Sequence, residues 1–398
     1  MDLGFAPPSN AYLSKDDLSK PEKYYPLKVK VCEECWLVQT EDYANADELF
    51  SSDYAYFSST STSWLTHAKE YSNKIISRLN LKKDSHVIEV ASNDGYLLKN
   101  FKEANIPCLG IEPTESTADA AEAIGINVIK KFFGETLAKE LALEGKQAEL
   151  IIGNNVYAHV PDINDFTKGL KALLKPTGII TLEFPHLLRL IEGTQFDTIY
   201  HEHFSYLSLY SVSKIFASCG LRIWDVEELK THGGSLRVYG CHEDDSRETL
   251  PSVASILSKE ESYGLRKIET YKNFQPKVEK IKNDLLTFLI GQKEKGKRVV
   301  AYGAAAKGNT LLNYAGIKPD LLPVVFDAAE SKQGKFLPGS HIPILCPNDI
   351  EKHSIDIVLI IPWNIANEIK ARVYNILGAN SKAIDFILGI SPKHYLFK

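Results

Sequence analysis

Residues 87–99 read VIEVASNDGYLLK, and this stretch decides the fold. A β-branched run leads to Glu89, the small residues Ala91, Ser92, Asn93, Asp94 and Gly95 follow, and Leu97 and Leu98 open a helix. Small residues let a ligand approach the backbone, and a helix N-terminus offers unpaired N–H groups to a carboxylate or phosphate. The next strand, CLGIEP, ends in Glu112, 23 residues beyond Glu89, where an acid suits the two hydroxyls of a ribose. The loop is not G-x-G-x-x-G, because Ala91 stands in the place of the first glycine and Asn93 in that of the second. Such a loop fits adenosylmethionine better than a dinucleotide, since no pyrophosphate needs room. On this motif alone, an ordinary strand–helix turn is the alternative.

Outward from this loop, HVIEV, CLGIEP, NVIKK, AELIIG and GIITLEF are strand-like, with helix-like segments at 115–124 and 163–175 between them. That alternation predicts a doubly wound, Rossmann-like α/β core with a largely parallel sheet. A second α/β unit starts near 298 with RVVAYG, LLPVVFD, IDIVLIIP and AIDFILGI. Between the two, residues 252–296 are helical, with Phe274, Val278, Ile281, Leu285 and Phe288 on one stripe. Upstream, YYPLKVKVCEECWLVQ alternates like a hairpin with Cys32 and Cys35 at its turn, and residues 61–80 have a helical period. The expected domains are a small β module at 1–60, the core at 61–245, and a C-terminal α/β domain with its leading helices at 246–398.

Bulk properties exclude several classes. With 44% hydrophobic and 24% charged residues the chain has the balance of a globular protein. A net charge of -5 argues against a nucleic-acid partner, because no basic excess exists to neutralise phosphates. No apolar run approaches the roughly 20 residues of a membrane span. The start, MDLGFAPPSN, lacks a basic segment followed by an apolar one, and six cysteines without a framework spacing suit a reducing cytoplasm. Oligomeric state is not readable.

Three further segments carry chemistry. GNNVYAHVP (153–161) follows a strand of the core, where ligands bind in open α/β sheets. FDTIYHEHFSYLS (196–208) gathers Tyr200, Glu202 and His203; a neutral histidine is a plausible base near pH 7. Histidines two apart on a strand face opposite ways, which disfavours a metal cluster at His201–His203. AYGAAAKGNTLLN (301–313) offers small residues and a lysine at a helix start, a phosphate cradle that is not a Walker loop because Lys307 precedes its glycine.

Together with EVASNDG, THGGSLRV (231–238) and CEECWLVQ (32–39), these segments resemble the family of sugar C-methyltransferases acting on thymidine-diphosphate-linked 4-keto-deoxysugars. The resemblance spans nearly the whole chain with its motifs in order. It implies S-adenosylmethionine as cofactor, held by Glu89, Ala91, Asn93, Asp94, Gly95, Glu112 and Asn155. It implies His203 as the base that makes a sugar enolate, with Glu202, Tyr200 and His159 beside it, and C3 as the usual acceptor. It implies nucleotide-sugar contacts from Gly303, Lys307, Asn309, Thr310, Asn364 and His232, with Tyr54 and Tyr56 reaching in from the N-terminal module. The family's module uses two Cys-x-x-Cys pairs, whereas here Cys32 and Cys35 supply half of a four-ligand zinc set, so zinc stays open. An oxidoreductase, a nucleotide-sugar-binding protein without activity, and an O- or N-methyltransferase are the competing readings.

Overall fold

A computed structural model describes residues 1–41, 57–378 and 384–390. The first strands are β1 (Asp2–Ala6), β2 (Tyr25–Val31) and β3 (Val38–Thr40). The core then supplies β4 (Val87–Val90), β5 (Cys108–Ile111), β6 (Asn127–Ile129), β7 (Ala148–Asn154) and β8 (Leu174–Pro185). β9 (Ser205–Tyr206), β10 (Leu221–Leu229) and β11 (Ser235–His242) follow. The last sheet has β12 (Val299–Tyr302), β13 (Val325–Phe326), β14 (Ile344–Leu345), β15 (Ile357–Ile360) and β16 (Asp385–Leu388).

The central sheet runs β10-β11-β8-β7-β4-β5-β6. Its strands β4 to β8 are parallel, and the hairpin β10–β11 closes one edge antiparallel to β8. The C-terminal sheet, β14-β13-β12-β15-β16, is parallel throughout. Parallel strands need both faces covered, which explains the uninterrupted apolar runs read from the sequence: Val87, Ile88, Val90, Val300 and Val358 are all buried. In each sheet the strand order turns back at one strand, β4 and β12, so the loops after them open at the crevice where α/β sheets bind ligands.

The N-terminal sheet ends the expected module differently. Its order is β1-β2-β3-β9, so the segment Ser205–Tyr206 directly after the Tyr-His-Glu-His run completes it. Its buried residues Leu27, Val29 and Val38 share one apolar cluster with Leu187, Phe196, Val278, Leu285 and Ala301. Within the expected stripe, Phe274, Val278 and Leu285 are buried, and Ile281 and Phe288 pack at its margin. Pro276 falls in the first turn of the helix Phe274–Glu294, where its missing N–H costs nothing. Among the described residues no helix is long and apolar enough to cross a membrane.

The helix Thr62–Leu79 is capped by Ser61, whose side chain accepts from the Trp64 amide, and ends on Asn80 in the left-handed conformation. It docks on the sheet through a buried charge cluster. Arg237 of β11 lies directly opposite Glu183 of β8, and the two form an ion pair at 3% and 0% exposure. His67 bonds the same carboxylate at 2.8 Å, Thr231 donates to it at 2.8 Å, and the guanidinium lies 4.2 Å from the Tyr71 ring. Burial would raise the Glu183 pKa, but the His67 hydrogen bond and Arg237 overcome it and hold it at about 2. Removing one partner leaves the other charge buried and bare. Arg237→Leu is therefore expected to cost about 3–5 kcal/mol, and pairing it with Glu183→Gln to recover part of that loss. Urea denaturation of the single and double variants measures both.

Candidate active site

The loop after β4 is shaped by backbone conformations that most residues avoid. Ala91, Asn93 and Gly95 have φ of 57°, 49° and 74°. Asn tolerates this conformation, Ala pays for it, and a Cβ at Gly95 would lie 3.2 Å from Ala121, Ile124 and Ile126. Glu112 pins the loop by accepting from the amides of Asn93 and Thr114, each at 2.9 Å. Ser58 and Ser59 cap it from outside, their amides donating to Asn93 Oδ1 at 2.9 Å and Asp94 Oδ2 at 3.0 Å.

Around this loop several buried oxygens have no hydrogen-bond partner among the described residues: Ser92 Oγ, Asp94 Oδ1, Asn154 Oδ1 and Asn155 Oδ1, while Glu89 is eased only by Tyr96. Burial, with Glu112 and Asp94 close by, pushes the Glu89 pKa well above the usual carboxylate range. Buried oxygens without donors are costly. A ligand rich in donors, with an ammonium and ribose hydroxyls, would satisfy them, so the residues present fit S-adenosylmethionine. Asn155, with φ of 53°, bonds His232 Nε2 at 2.9 Å, and Trp64 lies edge-on to His232 at 5.3 Å.

The Tyr-His-Glu-His segment packs against His159, in the turn after β7. His203 Nδ1 lies 2.8 Å from the Thr198 carbonyl. A carbonyl only accepts, so Nδ1 carries the proton and Nε2 of the neutral ring keeps its lone pair. Burial, then His159, lowers the His203 pKa well below its ordinary value. The Tyr200 and His159 rings lie 4.0 and 4.5 Å from that of His203. Burial also brings His159 and His232 down to about 4, and the Lys307 charge adds to the fall at His232. Three histidines are therefore neutral together at pH 7.

Other expected residues are placed otherwise. Glu202 does not bond the His203 ring: its two oxygens accept from Asn10 Nδ2 at 2.7 and 2.9 Å. Lys307 reaches Asn364 Oδ1 at 2.7 Å. Asn309 donates to the Ser9 carbonyl at 2.6 Å and Thr310 to the Ile199 carbonyl at 2.7 Å, so these side chains clamp the C-terminal helix to the N-terminal segment and the catalytic turn. Gly303 is required because Pro362 Cδ would lie 2.2 Å from its Cβ. Tyr54 and Tyr56 lie outside the described residues. Cys32 and Cys35 sit at the β2–β3 turn, which is closed by Trp36 N to Cys32 O at 2.9 Å and by Trp36 stacked on Tyr271. Among the described residues no three His, Cys, Asp or Glu gather as a metal site, and two thiols alone do not fit a four-ligand zinc.

The sequence reading did not single out Asn10, Thr198 or Trp64. Thr198 acts through a backbone carbonyl, for which no side-chain signal exists.

The low histidine pKa values have a stability consequence. Between about pH 6.5 and 4 the unfolded chain binds protons that folded His159 and His232 refuse, so stability falls as pH falls through that window. His232→Asn is expected to flatten the slope of stability against pH there by at most about 1.4 kcal/mol per pH unit. Denaturant midpoints measured at half-unit steps test this.

Comparison with known proteins follows the same outline. A "Methyltransferase domain" model matches residues 64–226, a "C-methyltransferase C-terminal domain" model 230–387, and a "Putative zinc binding domain" model 1–50. C-methyltransferase NovU of Streptomyces niveus is 35% identical over 367 residues, covering 92% of this chain and 87% of NovU. Among solved structures, magnesium protoporphyrin IX methyltransferase from Synechocystis PCC 6803 is 14% identical over 45% of this chain and 83% of its own, with a TM-score of 0.37. An S-adenosylmethionine-dependent methyltransferase from Clostridium acetobutylicum ATCC 824 is 11% identical over 45% and 92%, also with a TM-score of 0.37. The relation to NovU spans core and flanking domains alike, and the chain belongs to the S-adenosylmethionine-dependent C-methyltransferase family.

Proposed function

We propose that the acceptor is a carbon next to the ketone of a thymidine-diphosphate-linked 4-keto-deoxysugar, C3 in particular, and that His203 is the base. One observation carries this reading: a neutral imidazole whose Nδ1–H is fixed on the Thr198 carbonyl, leaving Nε2 as a base beside the cofactor loop.

Carbon attacks a methylsulfonium only as an enolate. Nε2 of His203 takes the proton from the carbon, the C–H electrons form the enolate double bond, and the carbonyl oxygen takes the negative charge. Tyr200, whose ring is tilted against that of His203, donates to that oxygen, and neutral His159 lines the same wall. Glu89, Asn93, Asp94 and Glu112 would hold S-adenosylmethionine, which would supply the electrophilic methyl for the new C–C bond, the sulfur keeping the electrons of the sulfur–methyl bond. Lys307, whose charge is felt at both His203 and His232, is assigned to the diphosphate. Glu202 acts on the fold through Asn10 and thereby steadies the turn that carries His203. We assign the work to the cytoplasm, where both small molecules are made.

The test is incubation with S-adenosylmethionine and a thymidine-diphosphate 4-keto-6-deoxysugar in H2O and D2O, read by mass spectrometry. The wild type should give product heavier by one CH2 and wash deuterium into unreacted sugar. His203→Asn should lose both by about 10²–10⁴-fold. Methylation without exchange would remove His203 as enolising base and point to an oxygen acceptor.

A further inference from the structure

Asp197 lies in the turn Phe196–Thr198, just ahead of the catalytic run, and is fully buried. Its Oδ2 accepts the Trp363 indole N–H at 2.7 Å, and the Asp197 and Thr198 amides also steady the carboxylate. Trp363 comes from the loop after β15, in the C-terminal sheet. Its ring sits against Gly233, where a Cβ would lie 2.2 Å from the indole. Lys307 Nζ stands 4.8 Å from the same ring. Gln195 closes the cluster by donating to the Gly233 carbonyl at 3.0 Å. The next residue along, His232, bonds Asn155 of the cofactor side.

The charge balance of this cluster is incomplete. Lys307 is the cation whose field opposes the burial of Asp197, and burial still pushes the carboxyl up to about 6. Lys307 in turn faces His203 and His232, both neutral, and Asn364. A diphosphate bound at Lys307 would take over the positive charge that opposes the burial of the Asp197 carboxylate. A buried carboxylate that loses its cation is driven to its neutral form.

We propose that Asp197 is a positioning residue of the nucleotide-sugar subsite, which holds Trp363 and Lys307 in place and takes up one proton when the diphosphate binds. The inference rests on the assignment of Lys307 to the diphosphate. Protonation removes a negative charge from beside the phosphates and gives the carboxyl an O–H that can donate at the subsite wall. The device joins three segments: the turn Phe196–Thr198, the loop after β15 and the helix that begins at Ala306.

The experiment is calorimetric titration of the full chain with thymidine-diphosphate glucose, whose diester phosphates do not titrate between pH 6 and 8. Titrations at pH 7 in buffers of different ionisation enthalpy count protons. The wild type is expected to take up close to one proton, and its affinity to weaken by up to about tenfold per pH unit above pH 7. Asp197→Asn keeps an acceptor for the indole and should bind without proton uptake and with affinity flat in pH. Trp363→Phe, which removes the donor and leaves the carboxyl protonated beforehand, should likewise lose the uptake. Binding by the wild type without uptake, or uptake that persists in Asp197→Asn, overturns the inference while leaving the subsite in place. No binding by the wild type overturns the subsite assignment itself.

Discussion

The hydrogen bond from His203 Nδ1 to the Thr198 carbonyl is the contact on which the proposed chemistry hangs. It fixes the tautomer, the ring orientation and the direction of the free lone pair with a backbone group five residues upstream. A carboxylate in that place would raise the basicity of the ring and favour the imidazolium. Burial beside His159 and His232 keeps the ring neutral, against the pull of the carbonyl, which by itself favours the protonated ring. The proposed proton abstraction needs a base that is unprotonated at pH 7.

That carbonyl is held in place by the rest of the molecule. Thr310 reaches the neighbouring Ile199 carbonyl from the C-terminal helix, Asn10 grips Glu202 from the N-terminal segment, and Tyr206 pairs with Val38 in the N-terminal sheet. Tyr12 and Lys332 both donate to the Ala304 carbonyl, which ties the N-terminal segment to the loop after β12. Three parts of the chain thus converge on one turn of about eight residues. The sheets supply rigidity; the convergence supplies position.

The core was legible because parallel strands buried on both faces leave continuous apolar runs, and because an acid–small-residue loop between strand and helix has few other uses. The hairpin β10–β11 was not, since Asp225, Glu227, Glu228 and Arg237 break its apolar pattern, and their partners Arg78, Glu183 and Arg189 lie far off in sequence. Gly303, Asn309 and Thr310, expected to contact the nucleotide sugar from their place at a helix start, also meet Pro362, Ser9 and Ile199, contacts separated by 59, 300 and 111 residues. Local spacing cannot show such pairings. Glu202, expected beside His203 or on a sugar hydroxyl, accepts from Asn10, 192 residues away in sequence, a pairing that local spacing does not show.

The most direct measurement is nitrogen-15 NMR of the histidine rings in the intact protein, with His203 assigned by comparison with His203→Asn. The account predicts a neutral His203 protonated at Nδ1, with an unprotonated Nε2 that stays so well below pH 6.5. An Nε2–H tautomer, or an imidazolium at neutral pH, would contradict it.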